Sequence, residues 1–388
     1  MDRHHINLRD YPTPYYIVYE ERLRHNLDII TNVAAEAGVK IIMAFKANAL
    51  WRTFGVMREY DVASTASSLN EMQLANEELG KLAHTYCPAY TSETIWRYLA
   101  GSSHITFNSV AQSLRFKPDV EQFNATGDHR VSCGLRINPM CSVIETDIYN
   151  PCCPGSRFGV TADELTELPD FIEGFHFHAL CESSSHDLEK VITAVEEQFG
   201  KYLPLLKWIN MGGGHLMTRE GYDTRHLIKL LRGFKQRHPN LEIIMEPGSA
   251  FTWRTGDLIA SVVDVVENSG IKTAIVDVSF ACHMPDCLEM PYKPTITEAL
   301  PKVVPNGKHN YRMGGNSCLS GDFVGDWSFD RPLKEGDRLT FEDMNHYTTV
   351  KTNMFNGIQH PAMLYVHRNG DVEVLREFTY ADYKSRMS

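Results

Sequence analysis

Between residues 20 and 248, short β-rich runs alternate with segments whose apolar residues recur at helical spacing. The extended runs are Val39–Phe45, Asp61–Ser64, His84–Pro88, His104–Phe107, Val131–Ile137, Ile172–His178, Trp208–Met211 and Leu241–Met245. Leu23, Leu27, Ile30 and Ala34 form one amphipathic stripe, and Leu227, Leu230, Leu231 and Phe234 form another. Asp223 before the second stripe suits an N-cap, and Pro239 after it a stop. Eight strand–helix units over about 230 residues predict an α/β fold, a TIM (β/α)8 barrel spanning residues 20–250.

After Gly248 the texture changes to strand-like runs such as Leu258–Val266 and Thr273–Val278, broken by Gly, Pro and Asp clusters. Residues 251–388 are therefore expected to form a second, mainly β domain of sandwich or barrel type. Residues 1–19 join it, because Tyr15–Val18 is an extended run suited to that sheet.

Composition narrows the class without altering this plan. The 388 residues are 43% hydrophobic and 22% charged, as in globular enzymes. A formal net charge of -11 argues against a nucleic-acid partner and suits a cationic substrate. The first residues lack the apolar core of a secretory signal, and no run approaches the ~20 apolar residues of a membrane span. A cytoplasmic protein is expected, with its nine irregularly spaced cysteines mostly reduced packing residues.

Catalytic groups of TIM barrels lie at the C-terminal ends of the strands. Lys46 follows the first run, His178 closes the sixth, Gly212-Gly213-Gly214 follows the seventh, and Glu246-Pro247-Gly248 follows the eighth. A lysine desolvated at its tip has a lowered pKa and attacks aldehydes, although most strand-end lysines are simply solvated. Three glycines let backbone N–H groups approach a phosphate, or merely form a flexible turn. A carboxylate opposite a pyridine nitrogen keeps that ring an electron sink, where a lone glutamate is more often an ion-pair partner. His176 and His178, two apart, share a strand face. A metal pair stays open at that point, a core histidine being the alternative, and no metal is assigned.

Together these residues resemble the fold type III pyridoxal-phosphate decarboxylases, the group of ornithine, arginine and diaminopimelate decarboxylases. Phe177-His178-Ala179-Leu180-Cys181-Glu182, Met211-Gly212-Gly213-Gly214-His215, Tyr149-Asn150-Pro151-Cys152, His283-Met284-Pro285-Asp286 and His346-Tyr347-Thr348 resemble its carboxynorspermidine/carboxyspermidine branch most. The resemblance implies pyridoxal 5'-phosphate as cofactor and a homodimer with shared active sites. By the same resemblance, Lys46 holds the cofactor as a Schiff base, His178 stacks on its ring, Gly212, Gly213 and Gly214 bind phosphate with Tyr347, and Glu246 pairs with the ring nitrogen.

Gly315–Asp322 matches the loop that the partner subunit inserts, with Cys318 as the acid that protonates the product carbanion. Asp286 matches the aspartate for the substrate's distal amine, and Ser249, Asp322 and Glu182 are further candidates on the substrate side. Ser249 stands where ornithine and diaminopimelate decarboxylases carry a phosphate-holding arginine, and Leu319 where diaminopimelate decarboxylases carry an acid. Both departures set this chain apart from the better-known substrates, and with Asp286 they point to a carboxylated polyamine, decarboxylated to norspermidine or spermidine. The choice between the two stays open, since one methylene in a pocket is worth only about 1–3 kcal/mol. Diaminopimelate or another basic amino acid, a racemase, and a non-catalytic cofactor- or partner-binding paralogue are the alternatives.

Overall fold

The computed structural model describes residues 6–144, 150–290 and 292–388. Tyr149 of the Tyr149-Asn150-Pro151-Cys152 motif lies outside them. The chain divides into two compact units, Asn26–Phe251, and Met1–His25 with Thr252–Ser388.

The first unit is the parallel barrel. Its strands are β2 (Lys40–Ile41), β3 (Met43–Ala44), β4 (Ser64–Ala66), β5 (Ala83–Tyr86), β6 (Ser102–Phe107), β7 (Ser132–Arg136), β8 (Ile172–His176), β9 (Trp208–Asn210) and β10 (Glu242–Met245), numbered after the N-terminal β1 (Tyr15–Tyr19). β2 and β3 flank Ile42 and act as one strand: Ile41 registers with Met245 of β10, and Met43 with Ser64 of β4. That double pairing closes nine segments into an eight-stranded ring, leaving no edge for another chain to pair with.

The ring interior is filled by side chains. Gly134 and Gly174 are register partners on β7 and β8, and a Cβ on either would meet the Trp208 ring at 2.3 and 2.0 Å. The two glycines thus make room for an indole, whose Nε1 donates to Ser132 Oγ at 2.9 Å. Outside the ring, the helix Glu20–Ala37 buries Leu23, Leu27, Ile30, Val33 and Ala37. Ala34, expected on that stripe, is only half-buried. The helix Thr224–Arg237 buries Leu227, Ile228, Leu231 and Phe234, with Asp223 capping His226 N–H at 2.9 Å as its sequence predicts.

Boundaries of the predicted strands move by a few residues, and two of the shifts have a clear cause. The second begins at Ser64 rather than Asp61, because Asp61 takes a left-handed φ of 56° and closes the preceding helical turn through Arg58. The sixth ends at His176 rather than His178: Phe177 N–H still reaches Asn210 O at 2.9 Å, after which the chain leaves the ladder.

The second unit is built on an eight-stranded sheet. Its strands are β1, β11 (Gly256–Asn268), β12 (Ile271–Val276), β13 (Asn310–Gly314), β14 (Phe323–Ser328), β15 (Arg338–Phe341), β16 (Ala362–Val366) and β17 (Val372–Arg376). β1 lies between β11, antiparallel, and β16, parallel, so the N-terminal run completes the sheet formed by the C-terminal half. Side chains alternate across it: Tyr16, Leu258 and Ala260 enter one core, and Tyr15, Ile17, Ile259 and Leu364 the other. Among the described residues, no helix is long and apolar enough to cross a membrane.

Candidate active site

Four of the strand-end features singled out by sequence, Lys46, His178, Gly212–Gly214 and Glu246, converge at the C-terminal ends of the barrel strands. Beyond β3 the chain turns, with Ala47 N–H donating to Ala44 O at 3.1 Å, and Lys46 stands on that turn. The turn is tied to the last strand's loop, since Ala44 N–H donates to Pro247 O at 3.2 Å. A Cβ on Gly248 would come within 2.4 Å of Ala47 Cβ, so only glycine permits this approach.

Lys46 Nζ lies 3.4 Å from His178 Nε2, and His178 Nδ1 accepts from Gly213 N–H at 2.9 Å. Accepting at Nδ1 fixes the neutral tautomer, with its proton on Nε2 facing Lys46. Burial, then the charges of Lys46 and Arg136, hold His178 well below the usual histidine range. Burial likewise lowers the Lys46 pKa, although Glu246 acts in the opposite direction. A lysine whose charged form is disfavoured by burial, beside an imidazole that does not compete for a proton, is the arrangement an attacking amine needs.

Glu246 shows the reverse balance. Its burial would raise the pKa, but the His176 ring with Nε2 3.0 Å from Oε1, Lys46, and the Asn210 amide donating to Oε2 at 3.0 Å hold it down to about 2. The folded-state pKa is depressed, so this carboxylate contributes stability above its ordinary pKa of 4.5, and that contribution is lost as pH falls from about 4.5 to about 2. Its full size is about 3 kcal/mol. Urea unfolding of the cofactor-free protein is expected to lose stability over that window, and Glu246→Gln to flatten the loss; identical pH profiles would refute the assignment.

The three glycines do more than leave space. Gly212 and Gly214 take φ of 70° and 88°, and Cβ atoms on Gly212, Gly213 and Gly214 would meet Phe177 O at 2.4 Å, Glu246 O at 2.6 Å and the Leu180 carbonyl at 2.3 Å. Two of their amides are already engaged: Gly212 N–H donates to Asn210 Oδ1 at 2.9 Å, and Gly213 N–H to His178. These two bonds set the shape of the glycine turn.

Asn210, His176 and Arg136 are the functional neighbours that pattern reading undervalued. The Arg136 guanidinium is buried between the rings of Tyr86, 4.6 Å away, and Phe158, 4.4 Å away, and Nη2 donates to His178 O at 3.4 Å. Among the described residues it has no carboxylate partner. His176, His178 and Glu246 also bring three metal-ligating atoms together, the reading left open by the histidine spacing. The His178 nitrogen nearest Glu246 is, however, the one taken by Gly213 N–H.

The remaining candidates have separate settings. Ser249 is buried at the start of the short helix Ser249–Thr252, while Glu182 is exposed at a φ of 46°. Asp286, Cys318, Asp322 and Tyr347 belong to the sheet unit. Cys318 is exposed, and its N–H donates to Asn356 Oδ1 at 2.8 Å. Asp322 is buried and accepts from Ala281 N–H at 3.0 Å and Ser317 N–H at 3.1 Å, so it shapes the loop carrying Cys318. Asp286 is paired with Lys351 at 3.1 Å, an ion pair that local spacing does not reveal. Tyr347 is half-buried at a φ of 50°.

This donor set fits a pyridoxal phosphate: a desolvated lysine for the aldehyde, a neutral ring to lie on, an ionised carboxylate for a ring nitrogen, and a cradle that any Cβ would fill. Comparison with known proteins agrees. Residues 17–345 match the family model of the pyridoxal-dependent decarboxylase, C-terminal sheet domain.

The chain is 46% identical over 381 residues to a carboxyaminopropylagmatine decarboxylase of Synechocystis sp., covering 98% of this chain and 96% of that one. It is 38% identical to a carboxynorspermidine/carboxyspermidine decarboxylase of Campylobacter jejuni, covering 96% and 98%. The crystal structure of the Campylobacter jejuni carboxynorspermidine decarboxylase complexed with norspermidine superposes with a TM-score of 0.88 at 37% identity, over 97% of this chain and all of that one. A Helicobacter pylori diaminopimelate decarboxylase shares the fold, with a TM-score of 0.80 at 19% identity over 98% of each chain. With the barrel, the N-terminally completed sheet and the lysine cradle in place, the chain belongs to the pyridoxal-dependent decarboxylases.

Proposed function

We propose that this enzyme removes the α-carboxylate of a carboxylated polyamine, carboxynorspermidine or carboxyspermidine, releasing CO2. The observation that carries the reading is the Lys46 amine, desolvated and 3.4 Å from a neutral His178, beside the ionised Glu246. When bound, the cofactor supplies the electron sink that accepts the charge left by the departing carboxylate.

The chain's own residues supply placement. Lys46 presents a nucleophilic amine, and the Gly213 N–H locks the His178 ring against rotation so that its face can support the cofactor ring. Glu246 keeps its negative charge toward the ring nitrogen. The glycine cradle would hold the phosphate, a role the family resemblance also gives to Tyr347, and Ser249 takes the sequence position of an arginine. Cys318 delivers the proton to the product carbon from a loop whose shape Asp322 maintains. The same reading makes the molecule a homodimer in which each Gly315–Asp322 loop completes its partner's site. It also places the enzyme in the cytoplasm, in keeping with nine cysteines that form no disulfide among the described residues.

The 46% identity to the Synechocystis sp. protein supports a second reading, in which the distal end of the substrate is a guanidinium. No sequence motif discussed above distinguishes it. Relative kcat/KM on carboxynorspermidine, carboxyspermidine, carboxyaminopropylagmatine and diaminopimelate separates these readings. At least one carboxylated polyamine is expected to exceed diaminopimelate by about 10²-fold or more, equivalent to roughly 3 kcal/mol. Preference for diaminopimelate would refute the polyamine assignment.

Asp286 tests the tail. A cationic tail reaching it must replace or share Lys351, exchanging one cation for another and leaving no buried charge bare. Asp286→Ala is expected to raise KM about tenfold or more, a loss of roughly 1.4 kcal/mol, with cofactor binding retained. An unchanged KM removes Asp286 from the substrate site.

A further inference from the structure

We infer that His186, Glu189 and His226 form a binding site for a divalent transition-metal ion, zinc foremost, on the outer surface of the barrel and separate from the Lys46 cradle. His186 and Glu189 lie one turn apart on the helix Ser185–Phe199, and His226 lies on the neighbouring helix Thr224–Arg237. One ligand atom from each can be grouped within 4.8 Å of the others. Two imidazoles and a carboxylate are the donor set of zinc and its neighbours, rather than of calcium or magnesium, which prefer oxygen alone.

Two details favour an ion over a plain surface contact. His226 Nε2 and Glu189 Oε2 are 3.4 Å apart, long for a charge-assisted hydrogen bond. Ligands 2.0–2.1 Å from a tetrahedral zinc are separated by about 3.3–3.4 Å. In addition, the other nitrogen of that ring, Nδ1, is 3.0 Å from Oγ of the buried Ser185. Such a partner orients a metal-ligating histidine and leaves Nε2 for the ion. The His186 ring is stacked on His226 at 4.0 Å between centroids, and rotation of this exposed side chain brings a ring nitrogen to the third position. The fourth position is left to water.

The site has a defined place in the fold. At their C-terminal ends the two helices are already clamped, by Arg237 and His238 on Glu196 at 2.8 Å each. At their N-terminal ends they emerge from the loops that carry His178 and Gly212–Gly214, where Ser183 N–H donates to Gly214 O at 2.8 Å. An ion on His186, Glu189 and His226 ties those two loops together from outside.

The test compares the wild-type holoenzyme with the double variant His186→Ala/His226→Ala, using Co2+ as a coloured substitute for Zn2+. By calorimetry the wild type is expected to take up one equivalent of Co2+ more than the variant. It should also show the visible absorption of histidine-bound cobalt and a metal-dependent rise in Tm, both absent from the variant. Turnover without added metal should be equal in the two. Glu189→Gln, which keeps both rings, should weaken binding at least about tenfold and serves if the double variant does not fold. Equal uptake by wild type and double variant, uptake by neither, or undiminished binding in Glu189→Gln would overturn the site.

Discussion

Lys46→Ala is expected to abolish turnover, with kcat/KM falling by about 10³-fold or more, and to remove the visible absorbance of lysine-bound cofactor. The reasoning starts from position. Lys46 is the amine that the barrel holds partly buried beside a neutral imidazole, on a turn tied to the loop of the eighth strand. Its lowered pKa raises the fraction of free amine at neutral pH, and alanine leaves nothing there to bond the aldehyde. The other cradle residues still hold cofactor non-covalently, so the variant should bind it more weakly and stay folded. Retained turnover together with retained absorbance would remove Lys46 from the mechanism and place the cofactor on another amine.

The second large effect is expected from Glu246→Gln: a fall in kcat of about 10²–10³-fold while cofactor remains attached to Lys46. An amide of the same shape carries no charge to keep a ring nitrogen protonated, so the ring becomes a poorer sink. The glutamine's single NH2 also stands in for one of the two carboxylate oxygens, the one facing His176 or the one facing the Asn210 amide, both set to face a carboxylate. Glu246→Asp, which keeps the charge at a shorter reach, should recover part of the loss. Measuring kcat beside cofactor absorbance distinguishes lost chemistry from lost cofactor; a glutamine variant within tenfold of wild type would show that the charge is not needed.

The barrel was legible because its strands are short apolar runs between amphipathic helices, and the cradle because Lys46, His178, Gly212–Gly214 and Glu246 each follow such a run. Boundaries failed where one residue took an unusual conformation, as at Asp61, or where a side-chain bond took over from the ladder, as at His178. What pattern reading missed depends on strands distant in sequence. Asn210 sits unremarked in the run Trp208–Met211 until β9 lies beside β10, when its amide reaches Glu246, 36 residues on. A polar residue at the end of a buried run was the available signal. Arg136 becomes notable only when Tyr86 and Phe158 enclose it, and the Asp286–Lys351 pair spans 65 residues that include three strands of the sheet.

Asn210 has a wider consequence. One side-chain amide donates to Glu246 and accepts from Gly212, so the carboxylate proposed to face a ring nitrogen is mechanically joined to the glycine turn proposed to cradle a phosphate. Tightness of grip and electron-withdrawing power are therefore not separately adjustable through this position. A lineage, or an engineer, changing residue 210 alters both at once.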